Sequence, residues 1–342
     1  RSLVNNKTKI LGVVLPNEAD DSFKNPFFVE AMRGMSMSAE ENGYYIMYAF
    51  SKNDEDELKT IKEFSSNNLL EGLCLLSVRE EDKTIKYLKD INFPFVVIGR
   101  PDEEDVLWVD NDNFQAMFKL VDKFIKDGQS DIAFIGGKKS WNVSKDRLSG
   151  FKDAFKANNL NYDKTMVIEG IDFSEECGYL AMREIISKRT PKIVVTTDDL
   201  LALGANKFLN EEGIEGVKIV GFNNTPMTKY QNPPISSIDI NARELGYEAT
   251  KLIIDYLNGN LVGRKKYCIV DTELIDRLVL NNCGVLLSNI EYEEELLKRD
   301  DVQIIKEFQI GEDNKSIATL KKNMCNKATL ELVRRIKEDF ME

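Results

Sequence analysis

Arg147 stands inside Lys145-Asp146-Arg147-Leu148-Ser149-Gly150-Phe151, a stretch that reads as the opening of a helix just past a strand ending in Gly136-Gly137. A cation at a helix start gains nothing from the macrodipole, which favours anions there, so this arginine asks for another reason. Its rigid planar fork can bind two neighbouring hydroxyls of a sugar or a carboxylate partner. The plainer alternative is a surface ion pair with Asp146. One absence removes much other chemistry. The 342 residues contain no histidine, which rules out Ser-His-Asp and Cys-His nucleophiles, His-containing zinc sites and the usual neutral-pH general base. Carboxylate, lysine or tyrosine chemistry survives.

Gly136-Gly137-Lys138-Lys139-Ser140 has the letters of a phosphate loop in the wrong order, and no dinucleotide fingerprint occurs, so no cofactor is expected. The acidic runs Glu18-Ala19-Asp20-Asp21 and Glu291-Tyr292-Glu293-Glu294-Glu295 lack calcium-loop spacing and read as solvated faces; no metal is expected. Cys74, Cys177, Cys268, Cys283 and Cys325 are odd in number and far apart, as structural thiols of a reducing compartment would be.

The elements that must position these residues follow from periodicity. Eight short apolar runs, Ile10-Leu15, Tyr44-Ala49, Gly72-Leu76, Phe95-Ile98, Ile132-Ile135, Met166-Glu169, Ile193-Thr196 and Lys218-Phe222, alternate with helix-like segments. Strands alternating with amphipathic helices imply parallel sheets joined by crossovers. Helices are expected from Pro26 to Ala39, from Asp54 with Glu57 as a capping box, at Phe114-Lys126, Arg147-Ala157 and Leu200-Asn210, from Ser174, and at Arg243-Leu257 opened by Asn241 with Glu244. Gln231-Asn232-Pro233-Pro234 forbids helix and suggests an extended crossing segment.

The strands form two sets of four, so two similar lobes are implied. Polar or flexible residues follow many strand ends: Pro16-Asn17, Ser51, Gly99-Arg100, Gly136-Gly137, Thr197-Asp198-Asp199 and Phe222-Asn223. Strand ends facing one cleft would make a ligand site lined from both lobes. The balance of 46 Lys+Arg against 58 Asp+Glu, a formal net charge of -12, makes this stretch a poor polyanion binder. No apolar stretch is long enough to span a bilayer, and a cytoplasmic protein is expected.

With these residues in place, the chain resembles the effector-binding part of the lactose-repressor (LacI/GalR) family of transcription regulators, and within it most the repressors of maltose operons. The resemblance runs from Arg1 to about Leu280. It rests on ordered signatures, among them Arg1-Ser2-Leu3, Ile10-Leu11-Gly12-Val13-Val14-Leu15-Pro16, Asn25-Pro26-Phe27-Phe28, Val97-Ile98-Gly99-Arg100, Asp110-Asn111-Asp112-Asn113, Asp146-Arg147-Leu148-Ser149-Gly150-Phe151, Thr197-Asp198-Asp199-Leu200-Leu201-Ala202-Leu203-Gly204 and Ile219-Val220-Gly221-Phe222.

The resemblance implies an α/β fold of two doubly wound, periplasmic-binding-protein-like parallel-sheet lobes joined by three crossovers. It also implies the end of a hinge at residues 1–9, a first lobe from 10–124 and 239–258, and a second from 125–238 and 259–280. Residues 281–342 lie beyond it, as a C-terminal α/β extension with a helix near Tyr292-Lys298, a strand at Val302-Ile310 and an amphipathic Ala328-Phe340. Family members read operator DNA as dimers through an N-terminal helix-turn-helix headpiece, which is absent from this stretch, so a homodimer, operator DNA through that headpiece and a small saccharide effector are the implied partners.

Carried over by position, Phe27 and Phe28 would lie at the cleft, Asp112 would accept hydroxyl hydrogen bonds, Arg147 would be the principal donor, and Phe173 would cover the ligand. Arg100, Trp141, Asp198 and Asn223 complete the implied ligand set. The alternative is that Phe28 and Phe173 are core residues and Trp141 an exposed loop aromatic. Asn223-Asn224 departs from the family, which often has an aspartate after Gly-Phe. Two other classes stay open: a sugar-binding component of a transport system, marked by a leader and anchor cysteine, and a glycoside-processing enzyme using Asp112 and Asp198.

Overall fold

The computed structural model describes residues 7–15, 25–51, 53–170, 172–279, 285–289, 302–310 and 313–320. By contact density the chain divides into residues 1–225 with 238–273, and residues 226–237 with 274–342. Expectations on Arg1-Ser2-Leu3, Pro16-Asn17, both acidic runs, Cys283, Cys325, Tyr292-Lys298 and Ala328-Phe340 lie outside the described residues.

Two six-stranded sheets carry the architecture. The first takes β1 (Ile10–Leu15), β2 (Tyr45–Phe50), β3 (Gly72–Leu75), β4 (Phe95–Ile98), β5 (Leu107–Asn111) and, much later in the chain, β11 (Tyr267–Val270), in the order β11-β5-β4-β3-β1-β2. The second takes β6 (Ile132–Gly136), β7 (Val167–Glu169), β8 (Ile193–Thr196), β9 (Lys218–Phe222), β10 (Ser236–Asp239) and β12 (Glu273–Ile275), in the order β12-β10-β9-β8-β6-β7. The ladders β1/β2, β1/β3, β3/β4, β6/β8 and β8/β9 are parallel. Central strands β3, β4, β6 and β8 are buried throughout, as parallel strands covered on both faces must be.

The helices are α1 (Pro26–Glu41), α2 (Asp54–Ser66), α3 (Lys83–Asp90), α4 (Asn113–Lys126), α5 (Asn142–Ala157), α6 (Glu175–Lys188), α7 (Asp199–Glu211), α8 (Pro226–Lys229) and α9 (Ala242–Leu257). In α1, Pro26 sits in the first turn, Asn25 caps Phe27 N, and Phe28, Ala31, Met35 and Ala39 form the buried stripe. Glycines let the helices approach closely. A Cβ on Gly34 or Gly246 would overlap backbone across the α1/α9 crossing, and one on Gly178 or Gly204 would do so between α6 and α7.

Several expectations are corrected here. The cap of α2 is Asn53, whose Oδ1 accepts from Asp56 N at 2.8 Å, not Asp54. Asn241 precedes α9 with φ of 52° and makes no side-chain cap. The helix expected at Arg147-Ala157 starts at Asn142, so Arg147 lies in its second turn. The two sets of four strands are completed by β5, β11, β10 and β12, and α3 was not foreseen.

The chain crosses between sheets earlier and later than expected. It leaves the first sheet after Asn111, because α4 packs on α5, whereas the expected boundary was 124/125. It returns between β10 and α9, which packs on α1. Residues 259–280, expected in the second lobe, include β11, whose Tyr267 and Ile269 pair with Trp108 and Asp110 of the first sheet. The third crossing therefore falls between Val270 and Glu273. Asn111 joins all three: its Nδ2 donates to Ile240 O at 3.0 Å and Val270 O at 2.9 Å.

In the second unit, Arg277 Nη1 donates to Ile235 O at 2.6 Å and Thr228 Oγ1 at 2.9 Å, and Ser236 Oγ donates to Asp276 Oδ1. Strands β13 (Leu278–Val279), β14 (Val285–Asn289), β15 (Val302–Ile310) and β16 (Asp313–Leu320) form an antiparallel sheet in the order β13-β14-β16-β15. The strand expected at Val302-Ile310 is β15.

Candidate functional site

The carboxyl ends of β3, β4, β5, β6, β8 and β9, with the start of α1, surround a cavity of about 840 Å³. That position follows from topology: in open parallel sheets the loops leaving the strand ends diverge and leave a crevice. The volume lies within the roughly 300–1,000 Å³ of small-molecule sites.

Arg147 projects from the second turn of α5 and is 4% exposed. Its Nε and Nη2 both donate to Asn113 Oδ1, at 2.9 and 2.7 Å, and Nη1 donates to Thr197 O at 2.6 Å. The guanidinium lies 4.1 Å from the centre of the Phe222 ring, a cation over an aromatic face. Burial pulls its pKa from 12.5 to about 10, with Asp110, Asp198, Asp199 and Asp146 pulling the other way, so it stays cationic at neutral pH. A guanidinium has more N–H donors than these three bonds use. The remaining donors belong to a side chain that lines the cavity.

Two buried carboxylates line the same space. Asp110, near the end of β5, accepts from Arg100 N at 3.0 Å, Asn111 N at 2.8 Å and Asn113 Nδ2 at 2.9 Å. Asp198 caps α7 through Leu200 N at 2.7 Å, and its Oδ2 accepts from Asn223 Nδ2 at 2.7 Å and Asn25 Nδ2 at 3.3 Å. Burial raises both pKa values from 3.8 to about 6, against the lowering by these hydrogen bonds and by Arg147. Behind them Asp199 accepts from Thr225 N at 2.6 Å.

The walls are aromatic. Phe27 and Phe28 meet edge-on with centroids 5.1 Å apart, and Trp141 tilts on Phe173 at 5.3 Å. A Cβ on Gly137, just after β6, would overlap the Phe173 ring, and Gly137 N donates to Thr197 Oγ1 at 2.8 Å. Fixed charged groups that read hydroxyl directions, beside aromatic faces that cover C–H surfaces, suit recognition of a small polyhydroxylated molecule. No group of His, Cys, Asp or Glu among the described residues could hold a metal ion, and none of their helices is long and apolar enough to cross a membrane.

A periplasmic-binding-protein-like domain model matches residues 121–278. The transcriptional regulator MalR of Streptococcus pneumoniae serotype 4 is 36% identical over 265 residues, 76% of this chain and 78% of that protein. The chain belongs to the LacI family of transcriptional regulators. The crystal structure of a LacI-type regulator from Bacillus cereus subsp. cytotoxis has 35% identity and a TM-score of 0.75, covering 78% of this chain and 96% of that one. The complex of the regulator CelR with cellobiose has 26% identity and a TM-score of 0.74, covering 79% and 84%.

Within this LacI-family chain, Phe27, Phe28, Trp141, Arg147, Phe173, Asp198 and Asn223 all line the cavity. Phe28 and Trp141 are also buried, at 4% and 7% exposure. Two expected residues are not lining it. Asp112 caps α4, its carboxylate accepting from Gln115 N at 3.0 Å. Arg100 turns its guanidinium over the Trp108 ring at 5.1 Å. Asp110 and Asn113 line the cavity where Asp112 was expected, so of the acid pair Asp112/Asp198 only Asp198 lines it.

Sequence reading missed Asp110, Asn113 and Asn25; only the dense Asp110-Asn111-Asp112-Asn113 run pointed near the first two. The departure at Asn223-Asn224 has a physical cause. Both residues take positive φ, 103° and 49°, which asparagine tolerates better than most, and the Asn223 amide donates to Asp198 where a carboxylate would repel it.

Proposed function

We propose that this chain senses a small neutral saccharide, maltose-like or another short glucoside, in the cavity around Arg147, and thereby changes DNA binding by a transcriptional repressor. The observation that carries the reading is one buried guanidinium flanked by Asp110 and Asp198 within aromatic walls. It is supported by the likeness to a probable maltose operon repressor from Staphylococcus and to the complex of CelR with cellobiose. The ligand acts by binding one arrangement of the two sheet-bearing lobes better than another. The three crossovers tied by Asn111 are the hinge. Operator DNA is read by a helix-turn-helix headpiece of the kind the relatives' names record, in a cytoplasmic homodimer whose two-fold axis matches the operator.

A thermal-shift panel of mono- and disaccharides tests this. A disaccharide at roughly a hundred times its Kd should stabilise the protein by about 2.7 kcal/mol. Arg147→Ala should remove that response while the unliganded variant still unfolds cooperatively. A panel in which no saccharide moves the melting temperature refutes the reading, and unchanged affinity in Arg147→Ala by calorimetry removes Arg147 from the site.

A further inference from the structure

Asn142 is the first residue of α5, lines the cavity, and is 7% exposed. Its backbone and side chain both reach across to the half built on the first sheet. Asn142 N donates to Val78 O at 3.2 Å, in the loop after β3, and Nδ2 donates to Arg100 O at 3.0 Å, in the loop after β4. Next to it Glu80 N donates to Ser140 O at 2.9 Å, completing an isolated antiparallel bridge between Arg79 and Trp141. Lys145 closes the outer side with an ion pair to Glu80 at 2.8 Å, and the Arg79 guanidinium, paired with buried Glu57, lies 5.8 Å from the centre of the Trp141 ring.

The amide orientation of Asn142 is fixed by chemistry. A carbonyl oxygen can only accept, so the atom facing Arg100 O must be the NH2 group, and Oδ1 is left as an acceptor. That Oδ1 is buried and has no hydrogen-bond partner within the protein, as is the indole Nε1 of adjacent Trp141. A buried acceptor and a buried donor on consecutive cavity-lining residues match a group that both donates and accepts, which is the property of a hydroxyl.

We infer that Asn142 is a coupling residue: its Nδ2 and backbone N–H clasp the two halves together, while its Oδ1, with Trp141 Nε1, reads one hydroxyl of the bound molecule. This inference rests on the saccharide reading for the hydroxyl and on geometry alone for the clasp. The two parts have separate signatures. A ligand hydroxyl bonded to Oδ1 holds the amide in the orientation that Nδ2 needs to reach Arg100 O, so occupancy tightens the clasp without altering the rim ion pair.

The test uses the whole chain with maltose and cellobiose as probes, followed by calorimetry, small-angle scattering and amide hydrogen exchange. In the wild type the amides of Glu80 and Asn142 should be protected without sugar and more so with it. Asn142→Ala should lose at least about tenfold in affinity and expand in scattering, whereas Lys145→Ala, which removes only the exposed ion pair, should stay within about twofold of wild type. Wild-type affinity and dimensions in Asn142→Ala, or unprotected Glu80 and Asn142 amides in the wild type, overturn the coupling role. If Asn142→Ala does not fold, the wild-type exchange pattern decides the clasp alone. Absence of any saccharide binding to wild type overturns the hydroxyl assignment together with the saccharide reading, and the exchange pattern still decides the clasp.

Discussion

Replacing Asp198 with asparagine isolates the electrostatic cost of the cavity. Burial raises the Asp198 pKa from 3.8 to about 6, which at roughly 1.4 kcal/mol per pH unit makes the ionised form about 3 kcal/mol costlier in the folded chain than in the unfolded one. Because the folded pKa is the higher of the two, the native state binds the extra proton between them. Its stabilising contribution is complete below about pH 3.8 and is lost as pH rises through about 6. Asparagine has the shape of the protonated acid, and its oxygen can still cap Leu200 N. Asn223 can turn its amide to accept, whereas Asn25 is held by its bond to Phe27 N and loses its partner, at about 1 kcal/mol. The variant should therefore be about 2 kcal/mol more stable than wild type at pH 8 and no more stable at pH 4. It should bind saccharide roughly tenfold or more weakly at pH 8, having lost a charge-assisted acceptor. Urea unfolding at pH 4, 6 and 8, with calorimetry at pH 8, measures both. Parallel pH profiles for the two proteins, or a variant less stable at pH 8, would refute the assignment of the cost to a buried carboxylate.

Asn111→Leu keeps the forked side-chain shape, though with bulkier tips, but withdraws the amide that Ile240 O and Val270 O accept from; a loss of about 2–4 kcal/mol in urea unfolding is expected, and a loss under about 0.5 kcal/mol would show that the crossovers do not need this tie. Gly137→Val drives a side chain into the Phe173 ring. Destabilisation of about 1–3 kcal/mol should accompany a saccharide affinity at least about tenfold weaker, and intact binding would show that Phe173 is not a wall of the site.

The two-sheet plan was legible because buried parallel strands are short continuous apolar runs and their crossover helices carry a 3.6-residue stripe. β1, β4, β8 and β9 were placed from that signal with their bounds intact. Two of the strands that escaped it, β5 and β10, have a diluted apolar pattern. β5 ends in Asp110-Asn111 and β10 begins with Ser236-Ser237, and each is a strand because its neighbours pair with it. The lobe boundary near β11 was missed for another reason: β11 follows the second-lobe strands in sequence, yet its pairing with β5, more than 150 positions earlier, puts it in the first sheet.

Arg147 stood out by residue type and by its place at a helix start, whereas Asp198 and the aromatic residues came from the family resemblance, carried over by position. The choice between Asp110 and Asp112 was available from neither. These carboxylates stand two residues apart at the first crossing, and only the folded chain shows Asp112 spent on the α4 cap while Asp110 lies among cavity-lining residues. The same holds for Asn142, whose partners are 42 and 64 positions away in sequence. Sequence determines what a side chain can donate or accept; which groups meet is decided by contacts whose partners are distant along the chain and close only after the sheets have formed.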